Sequence, residues 1–98
     1  MHYVIYAPDK PDSKERRAET RPRHLEYWKN SPLKVLLAGP MIDEDTGDMK
    51  GSMLLIDADD IETVREHAFK DPYWTEGVFG SIDVTAIRLP LGTLAGKL

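Results

Sequence analysis

The 98-residue chain has no cysteine. That absence removes disulfides, thiol nucleophiles and cysteine-based zinc sites together, and it fits a reducing compartment. Excess positive charge is also missing: 13 Lys and Arg stand against 17 Asp and Glu, for a net charge of -4. Binding to a phosphate backbone draws its affinity from Lys and Arg, so nucleic acid is not an expected partner. Long apolar runs are absent as well. The opening Met1-His2-Tyr3-Val4-Ile5-Tyr6-Ala7 is too short and not basic enough for a signal peptide, and nothing is long enough to span a bilayer, so no membrane association is expected and the location implied is cytoplasmic. No glycine-rich phosphate cradle is present, and no His-x-x-x-His or paired-carboxylate spacing surrounds His24. Neither a metal nor a cofactor is expected. The acidic run Asp43 to Asp48 lacks the glutamate spacing of a calcium loop and reads as a solvated turn.

What the chain does contain is the composition of one folded domain, with 41% hydrophobic and 31% charged residues. Residues 1–98 are read as a single domain, with 91–98 as a C-terminal tail. Its size suits a single core that a second copy can help to finish. Tyr3-Val4-Ile5-Tyr6 is β-branched and aromatic and is halted by Pro8 to Pro11, which predicts a strand over residues 2–7. Asp12 or Ser13 can cap a helix running through Glu15 to Arg17. Pro22 predicts a break near Thr20 and a fresh helix with the proline in its first turn. Residues 33–38 read as a buried strand stopped by Gly39-Pro40, and residues 51–57 as its hairpin partner. Asp59 and Glu62 mark a second helix whose Ile61, Val64 and Ala68 share a face. One short turn after Pro72 and a strand over residues 81–89 complete the chain.

The order strand, helix, strand, strand, helix, strand is the split βαβ pattern of the ferredoxin-like fold, an α+β class with an antiparallel four-stranded sheet and helices on one face. The strands are apolar on both alternating sets: Val4 against Tyr3 and Ile5, Leu37 against Leu36, Leu55 against Leu54 and Ile56, Val84 against Ile87. An antiparallel sheet covered on one side normally turns polar residues to the other. The expectation is a homodimer packed through the bare sheet face, the alternative being a monomer with an apolar patch.

Histidine both takes and gives a proton near neutral pH, which makes each of the three a candidate. His2 and His67 have no evident partner in sequence and read as structural or solvent-facing. His24 follows Arg21-Pro22 and is read as lying at a helix start, where free N–H groups favour an anion. Arg21 would then meet a small anionic molecule while His24 moves its proton. The plainer alternative is that His24 packs beside Trp28 and bonds a carbonyl. Asp71, followed by proline, is a good helix cap, and its second oxygen is free to orient His24. Tyr73 and Trp74 offer an apolar wall, unless they are ordinary core. Ser52 and Ser81 are candidate hydroxyls that can equally be turn residues.

Together, Tyr3-Val4-Ile5-Tyr6-Ala7, Asp9-Lys10, Asp12-Ser13, Arg21-Pro22-x-His24-Leu25, Leu36-Leu37-Ala38-Gly39-Pro40, Gly51-Ser52, Asp71-Pro72-Tyr73 and Gly77-Val78 resemble the YCII-related (YciI-like) family. The resemblance runs from the first strand to the last and implies a ferredoxin-like subunit of a dimeric α/β barrel with a histidine and aspartate site. Carried to this chain, those residues are His24 and Asp71. Proteins of this kind include lactone dehydrochlorinases and relatives of muconolactone isomerases. The turn at Asp43 to Asp48 looks shorter than in several relatives, and Trp74 stands where a small aliphatic residue is common.

The expectation is therefore a cofactor-independent lyase or isomerase acting on a lactone or small carboxylate. In it His24 and Asp71 are catalytic, and Arg21, Ser52, Tyr73 and Trp74 bind substrate. A non-catalytic metabolite-binding or interaction module of the same fold is the alternative, told apart by whether the bound molecule is converted. Oxygenase chemistry on the same scaffold is a third reading that fold alone does not support.

Overall fold

A computed structural model describes residues 1–98. Seven elements follow one another: β1 (His2–Pro8), α1 (Lys14–Lys29), β2 (Lys34–Ile42), β3 (Met49–Asp57), α2 (Ile61–Ala68), α3 (Pro72–Thr75) and β4 (Asp83–Ile87). The four strands form one antiparallel sheet in the order β2-β3-β1-β4. This is the expected α+β, ferredoxin-like arrangement.

The register sorts the side chains. Tyr3 lies opposite Ile56, Ile5 opposite Leu54 and Val84, and Ala7 opposite Ser52. Directly opposed residues share a face. Tyr3, Ile5, Leu54, Ile56 and Val84 form the main core with Trp28 of α1 and with Val64 and Ala68 of α2. Both long helices therefore cover the same side. A second cluster, Ala7, Tyr73, Val78 and Phe79, closes the end of the sheet where α3 sits. On the opposite side the register lines up Val4, Tyr6, Leu37, Met53, Leu55 and Ile87. Tyr6 is 51% and Leu37 47% exposed, so the face carries apolar groups that nothing in the subunit covers.

Several boundaries depart from the sequence expectation. The largest concerns α1, which is one continuous helix with Pro22 inside it, where a break near Thr20 was expected. An internal proline forfeits one backbone hydrogen bond and crowds the preceding turn, at a cost of about 3 kcal/mol. Pro22 points outward, while Arg17, Thr20, His24 and Trp28 are buried on both sides of it. Tertiary anchoring thus carries the helix across the defect. As a result His24 stands mid-helix, and the free N–H groups expected beside it are not there. Ser13 is the N-cap residue but makes no side-chain cap bond, and Asp12 turns the chain with a φ of 59°.

Gly39-Pro40 does not end β2, which continues to Ile42. The strand is at the sheet edge, where a missing N–H is tolerated. β3 begins at Met49, before the expected start, leaving a turn over residues 43–48. There Asp43 accepts from the N–H groups of Asp45 and Thr46, which hold its carboxyl below the usual carboxylate range. The cap of α2 is Asp60, not Asp59; it accepts from Thr63 N at 2.8 Å. β4 is shorter than expected at both ends.

Candidate functional site

Asp71 organises the site. It is the N-cap of α3, followed by Pro72 at the first helical position, and Oδ1 accepts the Tyr73 N–H at 2.9 Å. The same carboxylate accepts His24 Nδ1 at 2.8 and 2.9 Å. It also accepts the Trp28 indole N–H on Oδ2 at 2.8 Å. Capping and orienting roles therefore coexist in one group, which is only 1% exposed.

This geometry assigns the imidazole. A buried carboxylate with N–H donors around it accepts, so Nδ1 carries a hydrogen, and in the neutral ring the lone pair sits on Nε2. Nε2 has no protein partner, and His24 lines a cavity of about 130 Å³. The ring is stacked on Tyr73 at 3.9 Å and 17°, with Phe79 edge-on at 6.5 Å. Such packing leaves the imidazole little freedom to turn away from Asp71. Burial raises the Tyr73 hydroxyl pKa against the pull of Arg17 and Arg21, so the ring stays a neutral wall.

The cavity lies between α1, the end of β2 and the start of β3. It is lined by Arg21, Ser52 and Tyr73, together with Arg17, Pro40 and Met53. Arg21 is exposed at the rim. Ser52 is buried and accepts from Arg17 Nη2 at 2.7 Å. Trp74 does not belong to the cavity. Consecutive helical residues point about 100° apart, so α3 turns Tyr73 inward and carries Trp74 against Phe69, edge-on at 5.1 Å. Ser81 is exposed and outside the site.

Two residues of the site escaped sequence reasoning. Trp28 reads as core in any hydrophobic pattern, yet its indole is a ligand of Asp71. Arg17 reads as a surface charge on a helix, yet it is 4% exposed. Its position seven residues before His24, on the same helix face, was the available signal. Arg17 lies 4.4 Å from the Tyr73 ring centroid and 3.4 Å from Asp9 Oδ1. Burial pushes Asp9 up from the usual carboxylate range despite Arg17 and His24 nearby.

His67 takes the structural role expected of it. It stacks on Tyr27 at 4.6 Å and meets Trp28 edge-on at 5.0 Å. Desolvation, then Lys70, lower its pKa, with Asp71 opposing. His2 lies opposite Asp57 and Ile87, on the open side of the sheet.

An antiparallel α+β subunit with a mid-helix histidine held by a capping aspartate is the class of protein defined here. The family model of the YCII-related domain matches residues 1–88, and the chain belongs to that family. It is 36% identical over 95 residues to Protein YciI of Escherichia coli, covering 90% of this chain and 97% of that one. A protein of Haemophilus influenzae is 31% identical over the same spans. Among solved structures it resembles 5-chloro-2-hydroxyhydroquinone dehydrochlorinase (TftG) from Burkholderia phenoliruptrix, in complex with 2,5-dihydroxybenzoquinone. The TM-score is 0.81 at 31% identity, covering 90% of this chain and 94% of that one. No helix is long and apolar enough to cross a membrane.

Proposed function

We propose that this protein is a cofactor-independent lyase or isomerase for a small anionic ring or lactone, with His24 as its general base and acid. The observation that carries the reading is the His24 Nδ1 contact to a buried carboxylate at 2.8 Å, with Nε2 unpartnered on a residue that lines the cavity. An imidazole so oriented takes a proton through Nε2, and Asp71 offsets the positive charge that results. The arrangement suits abstraction of a proton next to a carbonyl. The electron pair then either reprotonates at another carbon, as in isomerisation, or expels a leaving group, as in elimination. Arg21 at the rim draws in the anion. The resemblance to a dehydrochlorinase bound to a dihydroxyquinone supports the same substrate class.

The apolar side of the sheet supports a homodimer in which a second copy covers Tyr6, Leu37 and Met53. A cytoplasmic location fits the chain's composition.

The test is a panel of small lactones and chlorinated hydroxyhydroquinones in deuterated water, with proton exchange followed by NMR and released chloride measured. His24→Gln should lower turnover of any active compound by about 100-fold or more while leaving the fold intact. Equal turnover by that variant would defeat the reading. Sedimentation of the intact protein as a monomer would defeat the dimer.

A further inference from the structure

Arg17 is the charged residue on the inward face of α1 for which the reaction above has no use. A guanidinium offers five N–H donors and cannot accept. Here Nη2 donates to Gly51 O and to Ser52 Oγ, both at 2.7 Å. Nη1 reaches Asp9 Oδ1 only at 3.4 Å, and Nε is buried without a partner. A buried charge with incomplete hydrogen bonding lowers stability, and an apolar side chain of similar length would fill the space at less cost. What the guanidinium does to its neighbours is therefore the feature to explain.

The direction of the Arg17–Ser52 bond fixes what Ser52 can do. Arginine only donates, so Ser52 Oγ is the acceptor and its own hydrogen must point elsewhere. Ser52 is 3% exposed, its hydroxyl has no second protein partner, and it lines the same cavity as His24. A cation donating to a hydroxyl also polarises it and makes it a better donor. Gly51 makes this approach feasible. A Cβ there would run into Met41 Cε and come within 2.8 Å of Ala7 O, so only glycine lets β3 lie this close to β1 and present its carbonyl to Arg17.

We propose that Arg17 is a positioning residue that locks Ser52 as a hydrogen-bond donor into the cavity, where the hydroxyl holds the substrate oxygen that gathers negative charge. The inference rests on the acid-base reading of His24. As Nε2 takes the proton, the C–H pair forms a C=C bond and the carbonyl π pair moves onto the oxygen facing Ser52. Collapse of this enolate returns the proton to another carbon or expels a leaving anion with its bonding pair. The ligands implied are ring or lactone enolates and stable mimics of them.

The experiment titrates 2,5-dihydroxybenzoquinone, an acidic enol that yields such an anion, into the full chain by calorimetry and follows its absorption band. Ser52→Ala should weaken binding about 10- to 100-fold and remove the band shift. Arg17→Gln should do the same, and the double variant should be within about twofold of the weaker single variant, because the two residues act as one unit. Additive losses, or Ser52→Ala binding like the parent, would overturn the inference. Should Arg17→Gln fail to fold, Ser52→Thr decides in its place: it keeps the hydroxyl and must restore binding. His24→Gln separates the two readings, since it should bind the quinone yet exchange no proton. Absence of binding to the parent protein would overturn both.

Discussion

The two long helices of this subunit lie on the same side of one sheet and are built on opposite terms. α2 turns Val64 and Ala68 inward, with Ile61 packed at the edge of the same core, and is fixed by a capping aspartate at its start. α1 turns Arg17, Thr20, His24 and Trp28 inward, has no side-chain cap and carries a proline in its middle. One helix is held by apolar burial. The other is held largely by Arg17, His24 and the Trp28 indole, each of which reaches a specific polar partner elsewhere in the chain. A polar inward face stabilises poorly for its area, so its presence marks where the fold gives up stability for a site.

Four measurements would break or sharpen that contrast. The largest effect is expected from Asp71→Ala, which strands three buried donors, His24 Nδ1, Trp28 Nε1 and Tyr73 N. Urea unfolding should show a loss of about 3–5 kcal/mol. A loss below 1 kcal/mol would mean that the carboxylate does not anchor α1 to α3. Next comes Val64→Ala on the apolar helix, at a position with 0% exposure. It should cost about 2 kcal/mol and leave binding of 2,5-dihydroxybenzoquinone unchanged. Altered binding would show that the two helices are not separable.

The third effect is a pH dependence. Burial depresses the pKa of His67 below its ordinary 6.5, so the unfolded chain binds the proton more tightly than the folded one. The stability this histidine contributes is complete above 6.5 and is lost as pH falls through the lower, folded-state value. Thermal midpoints measured from pH 7.5 downward should therefore decline, and His67→Phe should flatten that decline. A parallel decline in both proteins would assign it to other groups. The smallest effect is expected at Lys14, which pairs with Asp48 at 2.9 Å across exposed surface, tying α1 to the turn beside the cavity. Lys14→Met should change stability by under about 1 kcal/mol and lose even that in high salt.

The same contrast explains what the sequence could disclose. α2 shows its apolar period openly, and the strands show their β-branched and aromatic runs, so element order and fold class follow from pattern. α1 hides its inward face, because a helix buried on arginine, threonine and histidine has no hydrophobic stripe to read. Pro22 then suggested a break that contacts seven residues apart overrule. Asp71 was legible because Asp-Pro is a local cap signal. His24 stood out by its proton chemistry, but it lies in the middle of α1 and not at a helix start. Arg17 and the indole of Trp28 were missed because their roles depend on β3 and α3, segments far away in the chain. Trp74 was misassigned for the converse reason: beside Tyr73 in sequence, it is turned away from it by the helix.

The triple duty of Asp71 bears on how relatives with this residue are interpreted. A descendant that had abandoned its reaction would still need an acceptor here to close α3 and seat the indole, so an aspartate at this position testifies to architecture alone. Residue 24 caps no helix and seats no indole. Under the reaction proposed above, its identity, more than that of its partner, would report whether that chemistry is in use.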